Sequence, residues 1–440
     1  MSGAIDAKHS HQSARATSPP AAQPGLSQGP PQSQGEPTDF EIIGDVYGQL
    51  PPMHRTLPPE AHAHLIAAAR PVLMAYSAAA ADRDAVEADC RISEFLRLPR
   101  EILVIPRNAR GGASAARRRL QRAVARRNSG HSDVAPDAAA QSKPRKAADP
   151  TALAIRAATR TIDAGGSRAL HRAARALGMR EPIAVDQGVV DRLHQLHPRA
   201  QGPVPSLPVG LGLPPVRCGQ EFEESVQRTL RSMCSGAAPG PSGWTAELLD
   251  ILTGDVECRK AIAMMASAVA EGDVSGLSAH AMRACVLRAL PKPSGGAGAV
   301  RPIGMGETIA KLGCRIALEP LVQRSARAKS VLDRVFGDVQ FGVAKPGGSE
   351  TALGLLQLLL LRDQSHVVLS LDFQNAFNAR SRQQIATSLY ERLELQPLWR
   401  VFNLLYGQPS PLLLYGADGK RMATLTSDEG VRQGLSLIHI

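Results

Sequence analysis

Asp372 stands at the end of VVLSL (367–371), a short and mostly apolar run, and FQNAFN follows it. A carboxylate at the mouth of an apolar strand has two readings. It caps the helix that follows, or it holds a divalent metal. Phosphoryl and nucleotidyl transfer are served by two divalent metals about 4 Å apart, one activating the nucleophile and one clamping the polyphosphate. Mg²⁺ takes hard oxygen ligands, and one or two carboxylates plus substrate phosphates suffice. Lys292 and Arg301 bracket the glycine-rich stretch of LPKPSGGAGAVRPI. There a compact ammonium and a planar guanidinium either meet a triphosphate or form ordinary surface ion pairs. The Walker A order G-x-x-x-x-G-K-[ST] is absent. Phe377 either fills core or packs under a sugar ring. EGVRQG (429–434) is a glycine-bounded turn through which backbone can approach a ligand closely.

These residues need elements to hold them. From 216 onward strands and helices alternate. EFEESVQRTLRSM reads as a helix, and TAELLDILTG as another with Thr245 at its N-cap. CVLRALPKP and VRPIGM form a hairpin in outline. ETIAKLGCRIALEPLVQRSARA and SETALGLLQLLLLR read as helices, VVLSL as a buried strand, SRQQIATSLYERLE and PLWRVFNLLYG as helices, and PLLLYGADGKRMATL as a second hairpin. Upstream, 58–100 has alanine-rich helical periodicity. RNARGGASAARRRLQRAVARR (107–127) carries eight arginines and no acid. It is a self-repelling helix face awaiting an anion, a basic linker, or a localisation signal. Residues 128–150 read as a linker, and a second helical, arginine-bearing stretch begins at 151. VPSLPVGLGLPP (204–215) marks a boundary.

Composition bounds the class. The 440 residues are 43% hydrophobic, enough for a core, with only 3% aromatics and a net charge of +11. Such a charge favours a polyanionic partner, although nine lysines among 51 basic residues point to arginine enrichment of the kind a GC-rich gene produces. The first forty residues are polar and Pro/Gln/Ser-rich, so they read as disordered and contain no secretory h-region. LLQLLLL (355–361) is too short to span a bilayer. The six cysteines are scattered singly, as reduced and mostly buried thiols of an intracellular protein. His194 and His197 share an i, i+3 spacing with no third ligand, so no metal site is assigned there, nor at His62 and His64.

APGPSGW (238–244), LPKPSGG…RPI (290–303), FGVAKPGGSETA (341–352), LSLDFQNAFN (369–378) and EGVRQG occur in an order that resembles a reverse transcriptase of non-LTR, LINE-like retrotransposons. LHP (196–198) and LRLPREIL (96–103) resemble linker regions of such elements. The resemblance covers about half the chain. It implies an α/β (α+β) fold, a partial right-hand polymerase fingers–palm over 216–434. A helical, basic N-terminal region (41–215) and a disordered tail (1–40) precede it. It implies template-directed addition of dNTPs to a primer 3′-hydroxyl, with RNA template, DNA primer and Mg²⁺, in a nuclear or cytoplasmic setting and away from membranes. Asp372 becomes the first catalytic carboxylate and a metal ligand, with the Phe373 carbonyl beside it. Lys292 and Arg301 hold the incoming triphosphate, Phe377 is the steric gate, and Gln433 and Gly434 line the nucleotide pocket. Gly240 and Gly243 shape a turn near the template entrance, where Ser242 replaces the family's more usual aspartate.

The family's second catalytic element, two adjacent aspartates, does not follow EGVRQG here. LSLIHI (435–440) matches one frame of a transposon end used in sequencing libraries and reads as a non-native, adapter-derived tail. The chain as given is therefore expected to be inactive by itself. The alternatives are a group II intron-type or domesticated reverse transcriptase, a degenerate RNA-binding protein derived from one, and a pseudogene product.

Overall fold

A computed structural model describes residues 47–106, 112–129, 155, 159, 183–211, 217–233, 236–292, 299–323, 329–342, 347–363, 365–371 and 373–432. The 1–40 tail, the 435–440 segment and nearly all of the second arginine-bearing stretch lie outside these residues, as do Asp372, Gln433 and Gly434.

The first helices are α1 (His62–Ala81), α2 (Ala85–Ile102), α3 (Ala113–Asn128) and α4 (Gln187–Leu196). Next come α5 (Gln220–Ser232), α6 (Ala246–Leu252), α7 (Val256–Ala270) and α8 (Gly276–Arg283). Strands β1 (Cys285–Pro291) and β2 (Val300–Gly306) follow, then α9 (Thr308–Val322), α10 (Val331–Phe336) and α11 (Gly348–Arg362). The last elements are α12 (Ala376–Ala379), α13 (Arg382–Tyr390), α14 (Gln396–Tyr406), β3 (Ser410–Tyr415) and β4 (Arg421–Ser427). The fold is mixed α and β with one small sheet, as an α+β class requires.

Local chemistry sets the helix starts. Asp84, Thr245 and Asp255 each accept a backbone N–H from the residue three further on, at 3.0, 3.2 and 3.0 Å. Ser330 and Asp333 form a reciprocal capping box. The interior of α7 is nearly all buried alanine, methionine, isoleucine and valine. Such a helix is apolar all round, and the sequence reading assigned no element to residues 255–284. Gly313 of α9 meets it: a Cβ there would run into Val269, so the glycine permits the close approach.

One core joins α1, α2, α6, α7, α9 and α14, drawing residues from both sides of position 216. At its centre Trp244 stacks on Phe95 at 4.6 Å between centroids and donates its indole N–H to the Phe95 carbonyl at 2.9 Å. Cys258, Cys285 and Cys314 are buried, and burial pushes the Cys258 and Cys314 thiols up to about 12. Cys90 and Cys218 are exposed, which corrects the expectation for those two.

The sheet runs β2-β1-β3-β4, with antiparallel outer pairs and a parallel β1–β3 pair at the centre. Alternation sends Cys285, Leu287, Ala289, Leu412 and Leu414 to one face, covered by Leu193 of α4. Val286, Leu413 and Tyr415 take the other face, covered by Tyr47. Among the described residues no helix is long and apolar enough to cross a membrane.

Candidate functional site

Three of the flagged segments meet in one joint. Asn375 adopts a left-handed backbone, φ +53°, a conformation that asparagine tolerates better than most residues. Its side-chain amide donates to the Leu196 carbonyl of LHP at 2.7 Å, and its oxygen accepts from Asn378 at 2.7 Å. On the opposite side the Val431 N–H donates to the Phe377 carbonyl at 2.7 Å and the Gly430 N–H to the Arg380 carbonyl at 2.8 Å. Gly430 has φ +73°, and a Cβ there would strike Phe377 and Asn378 backbone atoms, so only glycine fits.

Arg382 fastens this joint from inside. Its backbone N–H donates to Glu429 at 2.7 Å, and its guanidinium to the Gly430 carbonyl at 2.8 Å, Ser427 Oγ at 2.9 Å and the Gln408 carbonyl at 3.3 Å. It also lies over the Tyr406 ring, 5.2 Å from its centroid. Glu429 takes a further N–H from Gln201 at 3.0 Å. Arg432 of EGVRQG is turned inward. It is buried, with its guanidinium on the Met282 and Arg283 carbonyls at the C-terminal end of α8, where a cation complements the helix dipole.

His197 of LHP lies against the joint. Its Nδ1 is 2.8 Å from the Leu193 carbonyl, which can only accept, so Nδ1 carries the proton. Burial holds its pKa below the ordinary 6.5, with the Leu193 bond opposing and the His194 and Arg382 charges adding to the effect. A depressed pKa means stability that is complete above about pH 6.5 and is lost as pH falls through the folded-state value. Between about pH 7.5 and pH 5.5 the urea midpoint of the wild type should therefore drop more than that of His197→Gln. Parallel pH curves for the two proteins would show that His197 is not the titrating group.

The hairpin brings Lys292 and Arg301 together. The Lys292 N–H donates to the Ala299 carbonyl at 3.0 Å, and Arg301 sits opposite Leu290. Residues 290 and 292 share a face by the two-residue alternation of a strand. Both cations are exposed on that face. Arg288 lies on it too, two residues before Leu290, and sequence reasoning missed it although the spacing 288, 290, 292 was visible. Burial, and then the nearby Arg55 charge, hold the Arg288 pKa below its ordinary value. Among the described residues no hydrogen bond or ion pair links this hairpin to the Phe377 joint. Helix α4 supplies a bridge: Leu193 is buried against the sheet, while Leu196, at its last turn, holds Asn375.

The APGPSGW loop is locked to the start of α9. Ser242 donates its N–H to one oxygen of Glu307 at 2.7 Å and its hydroxyl to the other at 2.5 Å. Thr308 donates to the Trp244 carbonyl at 2.6 Å. A Cβ on Gly240 would lie 2.7 Å from the Glu307 backbone nitrogen. Arg100 of LRLPREIL donates twice to the Pro241 carbonyl, at 3.0 and 2.6 Å. Burial raises the Glu307 pKa, with the two Ser242 bonds opposing.

One expectation is overturned. VVLSL is not a buried strand. Residues 366–371 form no ladder, and Val367, Leu369 and Leu371 are 91%, 78% and 70% exposed. A continuous apolar run becomes a buried strand only with partners beside it, and no described residue pairs with this one. Phe373 is 76% exposed and Phe377 40% exposed, so neither packs in the core. The leucines of α11 are largely exposed as well. Among the described residues no group of three His, Cys, Asp or Glu side chains gathers as a metal site.

No protein-family model matches the chain. A search of characterised proteins finds the retrotransposable element SLACS 132 kDa protein of Trypanosoma brucei gambiense, 35% identical over 217 residues. The chain is similar to a retrotransposon protein. The match covers 49% of this chain and 17% of the SLACS protein, so the chain spans less than a fifth of that relative's length. The likeness supports a retrotransposon-related origin and function.

Proposed function

We propose that the chain contributes the fingers and part of the palm of a retrotransposon reverse transcriptase, an RNA-directed DNA polymerase. The observation that carries this reading is the joint in which LHP, FQNAFN and EGVR, whose outermost bonded residues Leu196 and Val431 lie 235 positions apart, close on one another through the Asn375 side-chain amide and backbone hydrogen bonds. A joint of this kind can hold a template–nucleotide pocket in a fixed shape. The described side chains supply binding and positioning: Lys292 and Arg301, with Arg288 beside them, present cations to the dNTP triphosphate. Phe377, partly exposed at the joint, is the proposed steric gate that meets the sugar. Asp372, with the Phe373 carbonyl, is the proposed contributor to a Mg²⁺ site, and Gln433 and Gly434 are the proposed lining of the nucleotide pocket. The described residues do not complete a metal-binding set, and no catalytic step is assigned to them. RNA template, DNA primer and dNTPs are the proposed partners, in a nuclear or cytoplasmic setting.

The test is primer extension by the product of the full open reading frame, on an RNA template with an annealed DNA primer. Incorporation should follow the template and stop when Mg²⁺ is chelated. Lys292→Ala with Arg301→Ala should raise the KM for dNTP about 10–100-fold, the loss of one or two charge-assisted contacts. An unchanged KM would remove the hairpin from the nucleotide site. RNA binding without any incorporation would favour a degenerate RNA-binding descendant.

A further inference from the structure

Helix α3 has two unlike sides. Ala116, Leu120, Ala123 and Val124 are buried and pack the helix on the turn Pro59–Ala61 and on α1 and α2. The opposite side carries Arg117, Arg118, Arg122 and Arg126, all exposed. Their guanidinium groups form no ion pair or hydrogen bond among the described residues. The neighbouring acids are already engaged: Arg127 takes Glu94 at 2.6 Å and Glu101 at 2.7 Å, and Arg91 takes the other oxygen of Glu94 at 2.8 Å. The helix is thus anchored through Arg127, while Arg117, Arg118, Arg122 and Arg126 have no ionic partner among the described residues, at the cost of mutual repulsion.

We propose that this face of α3 is an RNA-binding surface that grips the phosphate backbone without reading sequence. Arg118, Arg122 and Arg126 recur every four residues, a step of about 6 Å along the helix. That step is of the order of the separation of neighbouring phosphates on a nucleic-acid strand. Arginine's planar fork suits phosphate oxygens better than lysine's point charge. A membrane-surface helix would need aromatic or aliphatic residues among its exposed positions, and here Leu120 and Val124 face inward. The helix is packed along its length, so it presents a flat row and cannot enter a duplex groove as a recognition helix does. The choice of RNA over DNA rests on the proposed function; the cationic row does not.

The experiment measures fluorescence anisotropy of the full chain with a labelled single-stranded RNA over a salt series, without nucleotide or primer. Substituting Gln at Arg118, Arg122 and Arg126 should reduce the slope of log K against log salt by about 2, three phosphate contacts on a single strand. The triple Lys variant should keep most of the slope, and circular dichroism should show both variants folded, since all three side chains are exposed. An unchanged slope in the Gln variant overturns the proposal, as does a slope lost only on duplex DNA. Binding to phosphatidylserine vesicles that the Gln variant loses, with RNA binding intact, also overturns it. Because no incorporation is measured, failure here is distinct from failure of the polymerase reading.

Discussion

Arg382→Leu should lower the folding stability of the chain by about 3–5 kcal/mol, read as a fall in the urea midpoint. The side chain is 2% exposed. Leucine fills much of its volume, but the carbonyls of Gly430 and Gln408 and the hydroxyl of Ser427 lose their donor. Each buried polar group left without a partner costs about 1–3 kcal/mol. The Glu429 carboxylate, 4% exposed, also loses a nearby cation. Burial lowers the Arg382 pKa to about 10, so it remains a cation at neutral pH and the loss is felt across the usable range. Arg382→Lys keeps the charge without the fork and should fall between the two. Hydrogen exchange at the Gly430 and Val431 amides should accelerate in the Leu variant, because these are the donors that tie the turn to residues 377–380. An unchanged midpoint, with unchanged exchange at those amides, would mean that the joint holds without its internal fastening.

Ser242→Asp should destabilise the chain by a similar amount, about 3–5 kcal/mol near neutral pH. Aspartate is the residue more usual at this turn in the family the sequence resembles, so the expected sign runs against consensus logic. Ser242 and Glu307 are both 0% exposed. The serine hydroxyl gives Glu307 a proton to accept at 2.5 Å; an aspartate would set an acceptor against an acceptor and a charge against a like charge. The pair could survive only by sharing a proton. The acids' folded-state pKa values then rise, so the penalty is small near about pH 4 and grows as pH increases through the carboxyl range. Adding Glu307→Gln to Ser242→Asp restores a donor and should recover most of the loss, a coupling of about 2 kcal/mol or more in a double-mutant cycle. Additive effects of the two substitutions would show that the carboxyl contact is not the cause.

What was legible in the sequence is what neighbouring residues decide among themselves. Thr245 caps α6 as its position before AELLDIL suggested, and the hairpins around SGGAGA and GADGK formed where turn residues separated β-prone runs. Helix α7 escaped notice because burial on every side erases the periodicity that betrays a face. VVLSL was misread for the related reason that a continuous apolar run records no face at all. The Ser242–Glu307 lock and the Arg382 fastening span 65 and 48 positions at their key bonds. Nothing local announces such contacts, since each half alone is an ordinary polar residue. The order of the motifs pointed to one site, and the structure joins LHP, FQNAFN and EGVR while the hairpin cations stand apart from them.

The sheet carries a consequence for how the chain is made. Its two faces are covered by Tyr47 and by Leu193, and both leave the ribosome before Cys285, the first residue of β1. The central parallel pair closes only when Leu412 arrives to meet Cys285, so β1 and β2 must wait through more than a hundred residues of synthesis with one edge unmatched. The earlier segments are already available to cover the two faces of the hairpin, whereas its open edge, the part that invites pairing with other chains, is closed only by β3.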